Sequence, residues 1–481
     1  MRLVRGCVLG GCLFAAASVP ACGSDESVDS DSVILGDGVH GPQRVPAGGT
    51  LEGEHANEAY IESNEVGAAV VVDTEPGKTT TVRGLNVYAN GGVGILVRGG
   101  GRFVGENLNI ICGVGVCVAA EGQARVDLSK IDIRGTITKE VVPNLVFPLK
   151  AEEAPIIGLA VAKVTEANLT DVTIGGFGGF GMISVESGIT WSGGGVSGNV
   201  GVGVIQHGGD VTLDAVDVSE TWKGQIGNAI SSYGLVLTGA GMLHSSGLRV
   251  VNNEGYGFVQ DDARSDHTGM LVSDNDDVGL WLQNSPGTAT DPSLRIFGTD
   301  NVFERNRGGG IFALRAGGVD LEGIRAADAI IKEIATSDTG LAQMADGVQI
   351  TEPVGDIRLN ALQLDNNARI GLLLSGALPT GATVSIGGVQ ITGSGDYGML
   401  PQDQFPPPDD AAVSRTPDLA AKDAASTAPL PPAGVKAAFV SVATLTDNGL
   451  IGENSLIATD GSVSSGGAVD KDGLSSTGGT P

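Results

Sequence analysis

The chain has 481 residues and a formal net charge of −28, a balance that repels nucleic acid and anionic lipid headgroups. Polyanionic sugars are repelled as well unless divalent cations bridge them. Its 77 glycines, with 4% aromatic and 17% charged residues and abundant Val, Ile and Thr, argue against a helical protein and for many short strands joined by tight turns.

Met1-Arg2-Leu3-Val4-Arg5 and the apolar run through Ala17 have the charged start and short apolar core of an export signal spanning residues 1–21. That run is too short to cross a bilayer. Val19-Pro20-Ala21-Cys22 resembles the bacterial lipobox, with Pro20 standing where a small or aliphatic residue is usual. The resemblance implies lipidation of Cys22 and membrane attachment through the lipid alone. The polar, acidic residues 22–32 that follow read as a flexible tether. The expected location is the outer membrane or cell surface.

Loss of the signal removes Cys7 and Cys12. Cys112 and Cys117 then remain, either as a disulfide across Gly113-Val114-Gly115 or as two half-buried thiols. No cysteine or histidine spacing matches a zinc site.

Residues 33–80 read as N-terminal capping coils, and 81–400 carry a repeat. A glycine between apolar neighbours returns at Gly94, Gly115, Gly158, Gly181, Gly203, Gly234, Gly257, Gly279, Gly310, Gly347, Gly371 and Gly398, with a base period of about 22 residues. The residue after each glycine is apolar, from Ile95 and Val116 to Leu372 and Met399. The residue before it is apolar in most coils, so the pattern predicts that both face the core. A second alternating strand follows in most coils, as in 124–133 and 356–364. Asparagine stands four residues before the glycine at Asn90, Asn199, Asn253, Asn275, Asn306 and Asn367. It is expected at a left-handed corner, with its amides laddered from coil to coil.

A 22-residue coil of two or three short strands with Asn at a corner resembles the right-handed parallel β-helix of the pectate-lyase-like superfamily. The resemblance implies an all-β fold, a single right-handed parallel β-helix solenoid of about 12 coils, and leaves activity open. Insertions are expected at about 135–156, 219–232, 284–292 and 325–345, with a short helix in 326–334. The 43-residue interval before Gly158 accommodates either a loop or a degenerate coil. The Pro/Ala-rich segment 401–436 reads as a disordered insertion, 437–457 as a final coil and 458–481 as a disordered tail.

Equal offsets from the glycine become neighbours on adjacent coils. Four or five residues after it runs a polar row that includes Glu186, His207, Asp261, Asp262, Gln283, Asn284 and Arg315. These are candidate catalytic or sugar-binding groups, and Asp261 and Asp262 are candidate calcium ligands, calcium being the one cofactor the row suggests. Two residues after the glycine an outward position is apolar in every coil except at Gln349, and Trp281 and Phe312 on successive coils would offer a stacking platform for sugar rings. Asp266-His267 has the composition of an acid–base pair. Of the polygalacturonase-type signatures only the Asp261-Asp262 pair is present, and no complete lyase set accompanies it. The sequence therefore favours a lipoprotein rod that binds a glycan or a surface protein without catalysis. A divergent polysaccharide lyase or glycoside hydrolase and a structural surface component are the alternatives, and no nucleic-acid partner is expected.

Overall fold

The computed structural model describes residues 32–64, 66–142, 154–226, 229–336, 340–395 and 397–402, with short strands within 413–414, 436–439, 443–446, 468–469 and 475–476. The signal, Cys22 and the tether lie outside the described residues, as does most of 401–436 and 458–481. The chain divides into two compact units, one running to Met242 with Asn253–Gly255, the other comprising Leu243–Asn252 and everything from Tyr256 onward. Both are right-handed parallel β-helices, and no α-helix occurs among the described residues.

In the first unit one sheet stacks Gln43–Val45, Ala68–Thr74, Val93–Gly99, Gly115–Glu121, Pro155–Ala162, Phe180–Val185, Val202–His207 and Tyr233–Thr238, all parallel. Residues 33–80 are thus coils of the helix itself. The direct pairing of Gly115–Glu121 with Pro155–Ala162, and of Arg125–Arg134 with Glu166–Gly175, makes the long interval one coil carrying an insertion. In the second unit the matching sheet stacks Tyr256–Asp261, Leu280–Gln283, Gly309–Leu314, Asp346–Thr351, Ile370–Ser375 and Tyr397–Gln402. Two further short strands, or one long strand spanning both as in Arg102–Cys112, complete the coils. The last of them, Lys436–Phe439 and Ala443–Thr446, add to Thr383–Gly387 and Gln390–Thr392, where the final coil was expected.

The glycine column has a steric cause. The ladder pairs the residues on either side of the glycine and skips the glycine itself, as in Phe180↔Val202 and Met182↔Val204. A Cβ on Gly94, Gly158, Gly181 or Gly203 would lie 2.5–2.6 Å from the carbonyl oxygen of the equivalent residue one coil on, and on Gly181 it would also drive into Val196. The second unit repeats this at Gly257, Gly279, Gly310, Gly347 and Gly371, with 2.5–2.8 Å to the next carbonyl. The glycine therefore points inward, and so does the residue after it. Val70, Ile95, Val118, Leu159, Met182, Val204 and Leu235 form one buried column in the first unit. Phe258, Leu280, Ile311, Val348, Leu372 and Met399 form another in the second.

Two expectations change. The residue before the glycine faces outward, because the irregularity at the glycine puts two successive residues on the inner side; Tyr256 and Val278 accordingly pack with Trp281, Phe312 and Leu314. The Gly115 coil is displaced by two residues, since Val116 pairs with Val93 and it is Val118 that continues the column from Ile95. Cys117 occupies the glycine place there and is disulfide-bonded to Cys112, with Cα atoms 5.6 Å apart. Gly115 instead takes a corner with φ 75°.

The buried asparagines bind backbone more than one another. Asn199 accepts from the Phe177 amide at 3.0 Å and donates to Ser197 O at 3.1 Å. Asn367 accepts from the Ala329 amide and donates to Ala326 O. An amide-to-amide bond links Asn275 to Asn306 at 2.9 Å. The left-handed residue is the one before each: Gly198, Asp274, Arg305 and Asn366, with φ between 52° and 65°. Asn90, by contrast, is exposed.

The insertion at 325–345 is a strand and a hairpin, not a helix. Ile324–Ala327 joins the parallel sheet, and Lys332–Thr336 pairs antiparallel with Gly340–Met344.

Replacing Gly181 by alanine should cost about 1–3 kcal/mol or more through overpacking, measured by denaturant unfolding. Gly41, whose added Cβ would meet nothing within 4 Å, should accept alanine with little change.

Candidate functional site

The polar row follows a backbone requirement. Lys163 and Glu186 in the first unit, and Asp262, Asn284, Arg315 and Glu352 in the second, all stand five residues after their glycines with φ between 47° and 57°. Equivalent coils place Gly99, Gly122, Gly208, Gly239 and Gly376 at this position, also at positive φ. The row is the second left-handed corner of each coil, which glycine or a polar residue tolerates at the surface.

Its members do not assemble into one reacting centre. Glu186 approaches Lys163 at 3.8 Å, and the His207 ring lies over Gly239. Asp261 accepts from the Asn284 amide at 3.3 Å. Arg315 pairs with Glu352 at 2.7 Å, one coil beyond Asn284 and two beyond Asp262. The acidic turn Asp274–Asp277, at the other left-handed corner of the coil, is occupied by cations of the protein: Asp274 binds Arg305 at 2.7 Å, Asp276 binds Arg307 at 3.0 Å, and Asp277 binds Lys332. Among the described residues, the side chains that group closely enough to hold a metal ion are Asp37, His55 and Glu58, outside this row.

The aromatic platform is covered at Phe312, while Trp281 stays half-buried. The two rings meet at a 45° tilt with centroids 4.2 Å apart, and Tyr256 meets Trp281 edge-on at 5.7 Å. Phe312 is only 5% exposed and packs with Val278 and with Met344 from the inserted hairpin. Gln283 is buried and accepts from the Trp281 indole at 3.1 Å, while Asn284 is exposed. The hairpin thus turns the apolar outer stripe into a small second core.

Asp266 and His267, neighbours in sequence, point to opposite faces of their strand. His267 is fully buried; its Nδ1 lies 2.6 Å from Ser245 Oγ, and its ring meets Phe258 edge-on. Nε2 has no hydrogen-bond partner among the described residues. Burial, aided by nearby His244, lowers its pKa to about 3, so the imidazole is neutral and sealed from substrate.

Asp266 faces out, into a file that the glycine offsets do not reveal. On the strands Met242–Ser246, Arg264–Thr268, Leu294–Ile296, Val319–Glu322 and Ile357–Asn360, the outward positions His244, Asp266, Arg295, Asp320 and Arg358 follow one another. Adjacent rungs lie about 4.8 Å apart, so charges of alternating sign stack vertically. His244 approaches Asp266 at 3.5 Å, and Asp320 lies between Arg295 at 3.8 Å and Arg358 at 3.7 Å. Partial burial raises the pKa of Asp320 above the usual aspartate value despite both guanidiniums, and its Oδ1 has no hydrogen-bond partner among the described residues. Beside Arg295, Phe297 is 39% exposed, with the Arg295 guanidinium 5.1 Å from the ring centre. Successive members of the file stand 22, 29, 25 and 38 residues apart, so aligning the second strand of each coil would have exposed it.

No family model matches this chain, and no curated protein is similar to it in sequence. Solved structures match it at low identity and low TM-score. The chain is similar to the periplasmic alginate epimerase AlgG at 11% identity and TM-score 0.36, covering 86% of this chain and 85% of that one. It is similar to bacteriophage CBA120 tailspike protein 3 at 13% and 0.38, covering 79% and 62%, and to pectate lyase Pel9A at 14% and 0.26, covering 84% and 78%.

The buried histidine gives a pH signature. Its folded pKa lies below the ordinary value of 6.5, so the unfolded chain takes up the proton first as pH falls. Its contribution is complete above pH 6.5 and diminishes toward pH 3. Stability of the second unit should drop by about 2–3 kcal/mol between pH 6.5 and 4.5 from this group, and His267→Gln should flatten that slope in unfolding titrations.

Proposed function

We propose that the protein is an exported, lipid-anchored β-helix that holds a carbohydrate chain against the file His244–Asp266–Arg295–Asp320–Arg358 without turning it over. The observation that carries this reading is Phe297: a large aromatic ring left 39% exposed, next to a row of donors and acceptors at fixed spacing. Sugar rings present C–H faces to an aromatic ring and hydroxyls to carboxylates and guanidiniums, which is the mixture of groups found here. The sheet fixes these groups before a ligand arrives, so little ordering entropy opposes binding. Charge compensation along the file lessens, at that face, the repulsion that the net charge of −28 imposes on an anionic polymer. Attachment rests on the sequence, where Cys22 follows the signal and precedes a solvated tether.

Asp320 supports a second reading. A carboxyl at an outward position of the file, half-buried and with its pKa raised by that burial, is a candidate proton donor to a leaving oxygen. That reading is polysaccharide cleavage.

Three measurements separate these possibilities. Affinity electrophoresis in neutral and uronic-acid polysaccharides should retard the protein, and Phe297→Ala should weaken the best interaction about 5- to 10-fold. No retardation in any polysaccharide would overturn the binding reading. Release of reducing or unsaturated ends that Asp320→Asn abolishes would establish cleavage instead. For attachment, Cys22→Ser should move the exported protein from the detergent phase to the aqueous phase.

A further inference from the structure

We propose that Asp37, His55 and Glu58 bind a divalent transition-metal ion of the zinc class. These residues belong to the first coils of the first unit, whereas the file described above belongs to the second, and the proposal does not depend on that file. Gly38–His40 pairs with Ala59–Ser63, Gly38 opposite Ala59, so Asp37 and Glu58 stand at matching places one rung apart. The Gly38 amide donates to Glu58 O at 3.0 Å, which fixes that register beside both carboxylates. The turn between them is equally defined: Glu54 N donates to Leu35 O at 2.8 Å, Glu58 N donates to His55 O at 3.2 Å, and Asn57 takes φ 63°. This turn brings His55 across to Asp37, with Nδ1 3.0 and 3.2 Å from the two carboxylate oxygens.

One donor atom from each of the three side chains lies within 4.8 Å of the others. Ligands 2.0–2.2 Å from a tetrahedral zinc ion stand roughly 3.3–3.6 Å apart. The Asp37–His55 edge is already slightly shorter than that, and Glu58 needs only a side-chain adjustment, because all three residues are exposed. Two carboxylates one rung apart repel, whereas elsewhere in the fold carboxylates are stacked against arginines, as Asp73 is with Arg44 and Glu52 with Arg83. No arginine or lysine is paired with Asp37 or Glu58 among the described ion pairs; the compensating partner is an imidazole, itself a metal ligand. One nitrogen and two carboxylate oxygens favour zinc-class ions over calcium, which takes six to eight oxygens. Water would complete the shell.

The test is calorimetric titration of the full chain with zinc chloride, using calcium chloride as the competing ion. One ion per chain should bind, and Asp37→Asn and His55→Gln should each weaken it at least roughly tenfold. His207→Gln should leave it unchanged. Unaltered far-ultraviolet dichroism and unaltered metal-free melting of the variants would show that the coils remain folded. Absence of zinc binding up to millimolar concentration, equal affinity in the Asp37 and His55 variants, or displacement by equimolar calcium would each overturn the proposal.

Discussion

The close approach of one coil's glycine to the next coil's carbonyl governs the rest of this architecture. At 2.5–2.8 Å from a would-be Cβ to oxygen, no side chain fits at Gly158, Gly181, Gly203 or their counterparts in the second unit. The irregularity there puts the following aliphatic residue inward and aims the residue two further on outward. Every vertical column in a coil inherits its facing from that point. This is why the glycine recurs in most coils while the corner and insertion lengths vary: length can change in a loop, but a Cβ at these glycines would push two coils apart, and Ala69 and Cys117 are the exceptions in the column.

The fold was legible from the repeat because one steric rule is enforced in coil after coil. What the repeat obscured were the places where two rules use the same residue type. Gly115 satisfies a left-handed corner, and its apolar neighbours imitate the in-strand glycine, so the Cys117 coil was read two residues out of phase. The Glu186, Asp262 and Arg315 row looked like a functional column because left-handed corners select glycine or polar residues. Trp281 and Phe312 were correctly placed on successive coils, but their cover, the hairpin ending at Met344, carries no signal in the glycine spacing. The helix anticipated at 326–334 failed for a related reason. Ala326 and Ala327 continue a parallel strand whose partners, Phe303 and Glu304 on one side and Leu364 and Asp365 on the other, are more than 20 residues away. Local propensity yields to that pairing.

The interior polar groups show how a solenoid pays for its corners. Asn199 and Asn367 each satisfy a backbone amide and a backbone carbonyl where the chain changes direction, and these would otherwise be stranded in the core. Asp346 replaces the usual apolar residue before the glycine, and Arg369 on the next coil closes a buried bidentate pair with it. Removing either partner leaves a buried charge, so this pair constrains the fold more than it stabilises it.

The same vertical logic separates what folding demands from what it does not. At about 4.8 Å, like unit charges on neighbouring rungs repel by about 1 kcal/mol in water and several times that near a partly buried surface. Alternation of sign along a charged column is therefore favoured, and the order Asp266, Arg295, Asp320, Arg358 is what stacking alone would select. Alternation by itself is no mark of a site. Phe297 is different, since solvent exposure of that ring gains the fold nothing, and so is Asp320, whose Oδ1 lacks a hydrogen-bond partner while two arginines occupy its neighbour. The stacking of the file accounts for neither of those two residues.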